Sequence, residues 1–146
     1  MRLKFSIKSE VNSKEAVEHL KMVLFKSMVK MHELATINCP VDTGRLRTSI
    51  ILKPTSPGYD QYILSDGVDY GIHVEYGTSP HYMSPANLKG WSRRVLGKES
   101  MAFAVAAKIA KEGTEAQPFF RPALDQVKNI WINRYFEKEF RSPANK

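Results

Sequence analysis

Two histidines carry parts of zinc-site signatures, and both signatures are incomplete. His32 opens a His-Glu-x-x pattern like that of metalloprotease helices, but the second histidine of that pattern would fall at Thr36. His73 and Glu75 have the His-x-Glu spacing of zinc deaminases, which also need a Pro-Cys-x-x-Cys segment, and the chain has one cysteine. We therefore expect no metal site. His32 is interpreted as part of an exposed polar pair on a helix, and His73 with Glu75 as a polar contact across two strands.

The single cysteine, Cys39, and a Gly-Lys pair complete the search for catalytic residues. A nucleophilic cysteine needs a nearby general base, and His32 lies about two turns back on the same predicted helix, which is poor geometry. Cys39 is therefore interpreted as a small residue packed at the helix end, and a lone cysteine excludes an internal disulfide. The segment from Gly90 to Lys98 ends in Gly-Lys, but six residues separate its glycines and Glu99 follows, unlike a phosphate loop. The sequence predicts no catalytic residue, no cofactor and no enzyme activity.

Basic residues beside an aromatic residue keep nucleic-acid binding open as an alternative function. The formal net charge is +7, and the pI is about 9.5. One cluster of basic residues beside an aromatic residue consists of Lys89, Trp91, Arg93, Arg94 and Lys98. It could hold a phosphate backbone and stack a base, although Trp91 could equally anchor its segment to the core.

The elements that must position these residues predict an α+β fold in a single domain, residues 1–146. Alternation of apolar and polar residues from Leu3 to Ile7 predicts a first strand. Helical spacing of apolar residues predicts a long helix over 12–38, which must end before Pro40. No apolar run approaches the ~20 residues that a membrane span needs, so we expect no membrane partner.

The rest of the chain predicts further strands, a helical insertion and a final helix. The expected sheet is antiparallel, has about four strands, and packs against the long N-terminal helix and a C-terminal helix. The predicted segments are strands over 45–53, 61–68 and 70–77, an insertion over 79–117 with helices at 86–96 and 100–112, a last helix from about residue 121, and a frayed tail over 141–146.

Three blocks at the junctions between these elements form an ordered set. The first is a turn that closes the long helix, Pro40, Val41, Asp42, Thr43 and Gly44, continued by Leu46 and Ser49. The second ends a predicted strand with Glu75, Tyr76, Gly77 and Thr78. The third leads into the last helix with Pro118, Phe119, Phe120, Arg121, Pro122 and Ala123. In the first block, Asp42 and Thr43 are expected to bond to amides at the helix end, and Gly44 is expected to adopt a positive φ.

This ordered set resembles a family of small tail components of long-tailed bacteriophages, the neck or tail-completion proteins. The resemblance implies a structural virion protein without catalytic activity that forms rings, usually sixfold, at the head–tail junction or tail end. It also implies head–tail connector, tail-tube or terminator proteins as neighbours, and DNA as a passenger through the ring. The implied location is the virion tail or neck, with the host cytoplasm as the place of assembly. The segment 79–117 is longer than the link expected in the smallest members.

Two kinds of surface are expected to make the contacts of such a ring. The strand over 71–78 is either an edge strand that pairs across subunits or an interior strand. Exposed aromatic, Met and Arg residues after it are candidates for contact with a neighbouring ring. The positive charge either complements an acidic ring or lines a DNA channel; the first is favoured because a strongly cationic channel would retain DNA. The candidate interface residues are Tyr82, Met83, Trp91, Arg93 and Arg94, together with Phe103.

Overall fold

Helix α1 (Lys14–Asn38) is the longest element of the computed structural model, which describes residues 1–6, 14–58 and 60–133. The predicted long helix is therefore confirmed from residue 14 onward. It ends at Asn38 because Pro40 disfavours helical geometry in the residue before it, Cys39. The inward positions recur every three to four residues, as a helix with one buried face requires. They are Val23, Ser27, Met28, Met31 and Ala35.

Three strands, β1 (Arg2–Ser6), β2 (Ile51–Pro54) and β3 (Gln61–Ser65), form an antiparallel sheet in the order β1-β3-β2. The register aligns Leu3, Leu64 and Leu52 in one row across the sheet. Tyr62 and Leu64 of the central strand are buried and alternate with more accessible residues, because successive strand residues point to opposite faces. One face of the sheet therefore joins the core, and the other remains accessible.

The expectation of about four strands is not confirmed, because the described residues hold three strands and the segment predicted as a strand over 70–77 is helix α3 (Gly71–Tyr76). Its β-branched and aromatic residues favoured a strand, but short apolar runs do not distinguish strand from helix. Gly71 and Glu75 are buried and Val74 packs on the core, which is helical spacing. The edge-strand hypothesis for 71–78 is therefore wrong.

A second correction concerns the start of the strand predicted over 45–53. Residues Arg45–Thr48 form a short helix, α2, and the strand begins only at Ile51. The backbone amides of Thr48 and Ser49 donate to the carbonyls of Gly44 and Arg45. These bonds close the helical turn, so the chain enters the sheet one turn later than predicted.

Within the insertion, helices α4 (Pro85–Leu96) and α5 (Ala102–Glu112) form a helical hairpin joined by a 3-10 turn, Glu99–Met101. Both helices lie close to the predicted segments. The side chains buried here are small apart from one isoleucine, and the main core cluster contains no residue of the hairpin among the described residues. The buried hairpin residues are Ser92, Ala102, Ala106 and Ile109. Helices α4 and α5 therefore pack mainly against each other, and few contacts attach the hairpin to the body of the protein, by which we mean the sheet with α1, α3 and the last helix.

The last helix, α6 (Phe120–Gln126), continues into a π-helical segment, Val127–Ile132. It starts within one residue of the predicted position and packs along α1. Phe119, Phe120 and Ala123 are fully buried in the main core, so the third motif block supplies the centre of the apolar interior. The tail predicted to fray over 141–146 lies outside the described residues.

Candidate assembly site

Glu75 is a buried acid that caps the N-terminus of α6. Its side chain is 0% exposed, and Oε2 accepts hydrogen bonds from the backbone amides of Phe119 at 2.7 Å and Phe120 at 2.9 Å. Oε1 accepts the amide of Arg121 at 2.9 Å. The first amides of a helix have no partner within the helix, and the helix dipole favours negative charge there. One carboxylate therefore satisfies three such amides and fixes the start of α6 on α3.

Arg121 holds the same joint from its outer side. Its Nε donates to Oε1 of Glu75 at 3.2 Å, and its Nη2 donates to the Glu75 carbonyl at 3.2 Å. The guanidinium carbon lies 4.7 Å from the ring centroid of Tyr76, which is cation–π distance. The second and third motif blocks are thus one structural joint. The interpretation of His73 with Glu75 as a cross-strand polar contact was wrong, because Glu75 lies on a helix and binds another helix terminus.

The hairpin leaves the body next to this joint, where Thr78 and Thr114 form an isolated antiparallel bridge. The Thr78 amide donates to the Thr114 carbonyl at 3.1 Å, and the return bond is 3.2 Å. Gly77 has φ 73 and ψ −174, and Gly113 has φ 77 and ψ −157, a backbone region essentially reserved for glycine. A Cβ on Gly113 would come within 2.8 Å of the carbonyl carbon of Thr78. These two glycines allow the backbones to approach and set the angle of the hairpin.

The first motif block forms the turn after α1, although its hydrogen bonds differ from those expected. Gly44 has φ 83, as predicted, and precedes α2, and Leu46 is buried in the core. The carbonyl of Cys39 at the end of α1 accepts a hydrogen bond from Nη2 of Arg47 at 2.9 Å. Thr43 only accepts the Arg45 amide at 3.5 Å. The prediction that Asp42 and Thr43 satisfy amides at the helix end was therefore wrong.

Asp42 instead binds the hairpin. Its carboxylate accepts two hydrogen bonds from Arg94 of α4, from Nε at 2.6 Å and from Nη2 at 2.7 Å. This bidentate hydrogen bonding from Arg94 is the largest cause that holds the pKa of Asp42 below its ordinary value, and the charge of Arg94 acts in the same direction. The pair connects the turn of the first block to the end of α4. Arg94, predicted as an interface residue, is thus engaged within the chain.

The other predicted interface residues divide by exposure. Tyr82 is 83% exposed and Arg93 is exposed, whereas Met83 and Trp91 are half-buried. The prediction had included Phe103, which is 66% exposed, but not its exposed neighbours at the tip of the hairpin. We define the apolar tip as Val95, Leu96, Met101 and Phe103.

A groove at the N-terminal half of α1 was missed by the sequence reasoning. It has a volume of about 430 Å³ and opens to solvent. Met22 and Phe25, 53% and 48% exposed, line it on the helix side, and the Phe25 and Tyr62 rings lie 6.1 Å apart. The signal was present in the sequence, since Met22, Phe25 and Val29 form a second apolar stripe beside the core stripe. We define the α1 groove by its lining residues, Glu18, Lys21, Met22, Phe25, Pro54, Gly58 and Tyr62.

Cys39 and His32 have structural contacts. Cys39 is 1% exposed, and burial raises the pKa of its thiol; its packing at the helix end agrees with the prediction. His32 is half-buried, not exposed as expected, and its Nε2 lies 3.1 Å from the Ile50 carbonyl oxygen. Within residues 1–6, 14–58 and 60–133, no three His, Cys, Asp or Glu side chains are grouped as metal ligands would be.

Comparison with protein-family models, curated proteins and solved structures finds no match for the chain. In the part of the chain that the structure describes, no helix has the length and apolar character to cross a membrane.

Proposed function

We propose that this chain is a structural virion protein of a tailed bacteriophage that joins head and tail or completes the tail through ring-forming protein contacts. The proposal includes self-association, a hexamer in the simplest case, and contact with connector, tail-tube or terminator rings. It also places the protein in the virion tail or neck after assembly in the host cytoplasm, with DNA only passing through the ring.

The observation that carries the proposal is the joint formed by Glu75, which brings together the second and third blocks of the resemblance. The two blocks are about 40 residues apart in the chain, yet one carboxylate binds three amides of the other block. The first block contributes Asp42, which binds the hairpin. The residues of all three blocks therefore set the angles between elements, as a subunit needs when it presents fixed surfaces to identical neighbours.

A phage that lacks the protein provides the direct test. Particles are made from a phage genome with a stop codon early in this gene and imaged by negative-stain electron microscopy, with the intact gene supplied from a plasmid as the control. We expect filled heads and separate tails without the protein and joined particles when the plasmid restores it. Normal infectious particles in its absence would reject the proposal.

Nucleic-acid binding is the second candidate, and the open face of the sheet favours it. The register places Lys4 of β1 and Lys53 of β2 on either side of Ile63 in one row, and Arg2 lies two residues before Lys4. All three basic side chains are exposed. In contrast, the cluster near Trp91 is partly neutralised, since Arg94 binds Asp42 and Lys89 pairs with Glu99 at 3.5 Å.

A DNA mobility-shift assay at several salt concentrations separates the two candidates. Binding through phosphates falls steeply with salt, with a slope set by the number of neutralised charges. If DNA binding is the function, a Lys4→Ala, Lys53→Ala variant reduces both the affinity and the slope, while Lys108→Ala, at an exposed residue paired with Glu115, serves as the control. Under the virion proposal, we expect the two variants to behave alike and binding to be weak at physiological salt.

A further inference from the structure

The hairpin carries an apolar tip that projects beyond the main core. Four large apolar side chains, each between 42% and 66% exposed, lie within nine residues of sequence at the turn between α4 and α5. Isolated exposed apolar residues are ordinary, but a contiguous group usually marks a contact surface. Because Arg94 directly precedes Val95 and binds Asp42, the tip is held near the C-terminal end of α1.

The α1 groove is the concave counterpart of this tip. Its apolar lining residues are Met22, Phe25, Pro54 and Tyr62, and the ion pair of Glu18 with Lys21 also lines it. Its volume of about 430 Å³ is enough for an aromatic side chain with an aliphatic neighbour. Methionine and aromatic residues are enriched at protein interfaces, where they adapt to the shape of a partner.

The two surfaces lie at opposite ends of the longest helix. From Met22 to Asn38, α1 spans 16 residues, or about 24 Å at 1.5 Å per residue, and Asp42 lies beyond that end. None of the four tip residues lines the groove of its own chain. A convex and a concave surface that are separate on one molecule produce a head-to-tail contact between copies, which closes into a ring if the rotation permits.

We propose that the apolar tip of one copy inserts into the α1 groove of the next copy, with Phe103 as the central side chain. The predicted partner is thus a second copy of this chain, bound through two different surfaces. This proposal deepens the proposed function and rests on it for its biological role, although the contact can be measured in the purified protein.

The size of the contact indicates how it operates. The four tip side chains offer roughly 300–400 Å² of apolar surface, since a fully buried aromatic residue covers about 150–250 Å². A stable interface buries about 800 Å² on each partner, so one tip in one groove gives a weak pair. In a closed ring every copy makes two such contacts at once, and the gain in effective concentration stabilises the assembly. We therefore expect mainly monomers in dilute solution.

Chemical crosslinking of engineered cysteines tests the contact. The background is Cys39→Ala, which removes the native thiol, with circular dichroism to verify folding. Glu18→Cys marks the groove and Ser100→Cys marks the tip; both positions are exposed, and Met22 and Phe103, which make the proposed contact, are unchanged. The variants are treated with a short bis-maleimide linker at high protein concentration, separately and mixed, and Arg2→Cys on the open sheet face replaces Glu18→Cys in a control mixture.

The expected product is a covalent dimer in the mixture of groove and tip variants, on the order of tenfold above the control mixture because docking raises the local thiol concentration. Each variant alone should give little dimer. A chain that carries both cysteines should give a ladder of multimers that ends at the ring number. Crosslinking no greater than the control, equal dimer from either single variant, or a doubly labelled chain that stops at dimers would each overturn the head-to-tail contact.

The crosslinking result and the particle experiment fail independently. A ladder of multimers together with normal particles from a phage lacking the gene would retain the contact and reject the virion role. Unjoined heads and tails without any specific crosslink would retain the virion role and reject this contact.

Discussion

Removal of the Glu75 carboxylate should destabilise the protein more than removal of its arginine partner. The carboxylate binds the amides of Phe119, Phe120 and Arg121 and is fully buried. The Arg121 side chain is 49% exposed, so water screens its ion pair with Glu75. The principal role of Glu75 is therefore the cap on α6, and the salt bridge is secondary.

The expected losses in the free energy of unfolding follow from the backbone amides that each substitution leaves without an acceptor. Glu75→Ala leaves the two buried amides of Phe119 and Phe120 unsatisfied, each at about 1–3 kcal/mol, for a loss of about 4 kcal/mol. Glu75→Gln keeps the size of the side chain and one acceptor oxygen. Its NH₂ group, which cannot accept a hydrogen bond, replaces the other oxygen beside the backbone amides, so stability should fall by about 2 kcal/mol. Arg121→Ala removes a half-exposed ion pair and should lower stability by no more than about 1 kcal/mol.

Urea unfolding of the four proteins, followed by circular dichroism, measures these differences as shifts in midpoint at unchanged slope. Glu112→Gln is the control, because Glu112 is a surface acid paired with its neighbour Lys111, and its change should stay within about 0.5 kcal/mol. If Arg121→Ala proved as damaging as Glu75→Ala, the ion pair and not the helix cap would hold the joint. A neutral Glu75→Gln would likewise refute the reasoning.

Three further perturbations test other parts of the structure. Gly77→Ala should lose about 1–3 kcal/mol from backbone strain, and more from contact of the new Cβ with the Ala116 nitrogen at 3.0 Å. Gly97→Ala, in the milder left-handed region at φ 71 and ψ 0 and with open space around it, should lose less, so equal losses in urea unfolding would show that neither the extended backbone nor the close approach at Gly77 adds a cost. Because Arg94 lowers the folded pKa of Asp42, the stability from this pair is complete above the unfolded value of about 3.9 and is lost as pH falls through the folded pKa. The protection factor of the hairpin amides, which is their exchange rate corrected for its intrinsic dependence on pH, should accordingly stay constant down to about pH 5 and fall in strong acid, whereas in Asp42→Asn it should lack this added fall. Cys39 should react with a thiol reagent only as fast as the protein opens, and rapid labelling of the native protein would contradict its burial.

The sequence predicted elements well where one pattern dominated. The apolar stripe of α1 is continuous from Val17 to Leu34, about five turns, and the turn at Pro40 to Gly44 has residues with fixed conformational preferences, so both were predictable. The segment around Val74 was not, because its residue types favour a strand and only the tertiary partner of Glu75 selects the helix. That partner lies about 44 residues away, and no local pattern encodes it.

The surfaces were harder to predict than the joints. Met22 and Phe25 have the same residue types as the core stripe beside them, and only the packed structure shows which stripe the core covers. Arg94 was expected to face a partner because its exposed charge is visible in the sequence. Its pairing with Asp42 depends on the hairpin angle, which Gly77 and Gly113 set through a backbone bridge.

The order of strands in the sheet has a consequence for synthesis. β1 is the first element of the sheet to leave the ribosome, yet β3, its neighbour in the sheet of the described residues, ends at Ser65. At about 5–20 residues per second, translation of the intervening 60 residues takes about 3–12 seconds. During that interval β1 must remain without its strand neighbour while α1 emerges. Its alternating cations, Arg2 and Lys4, keep this nascent strand charged and disfavour premature association with other chains.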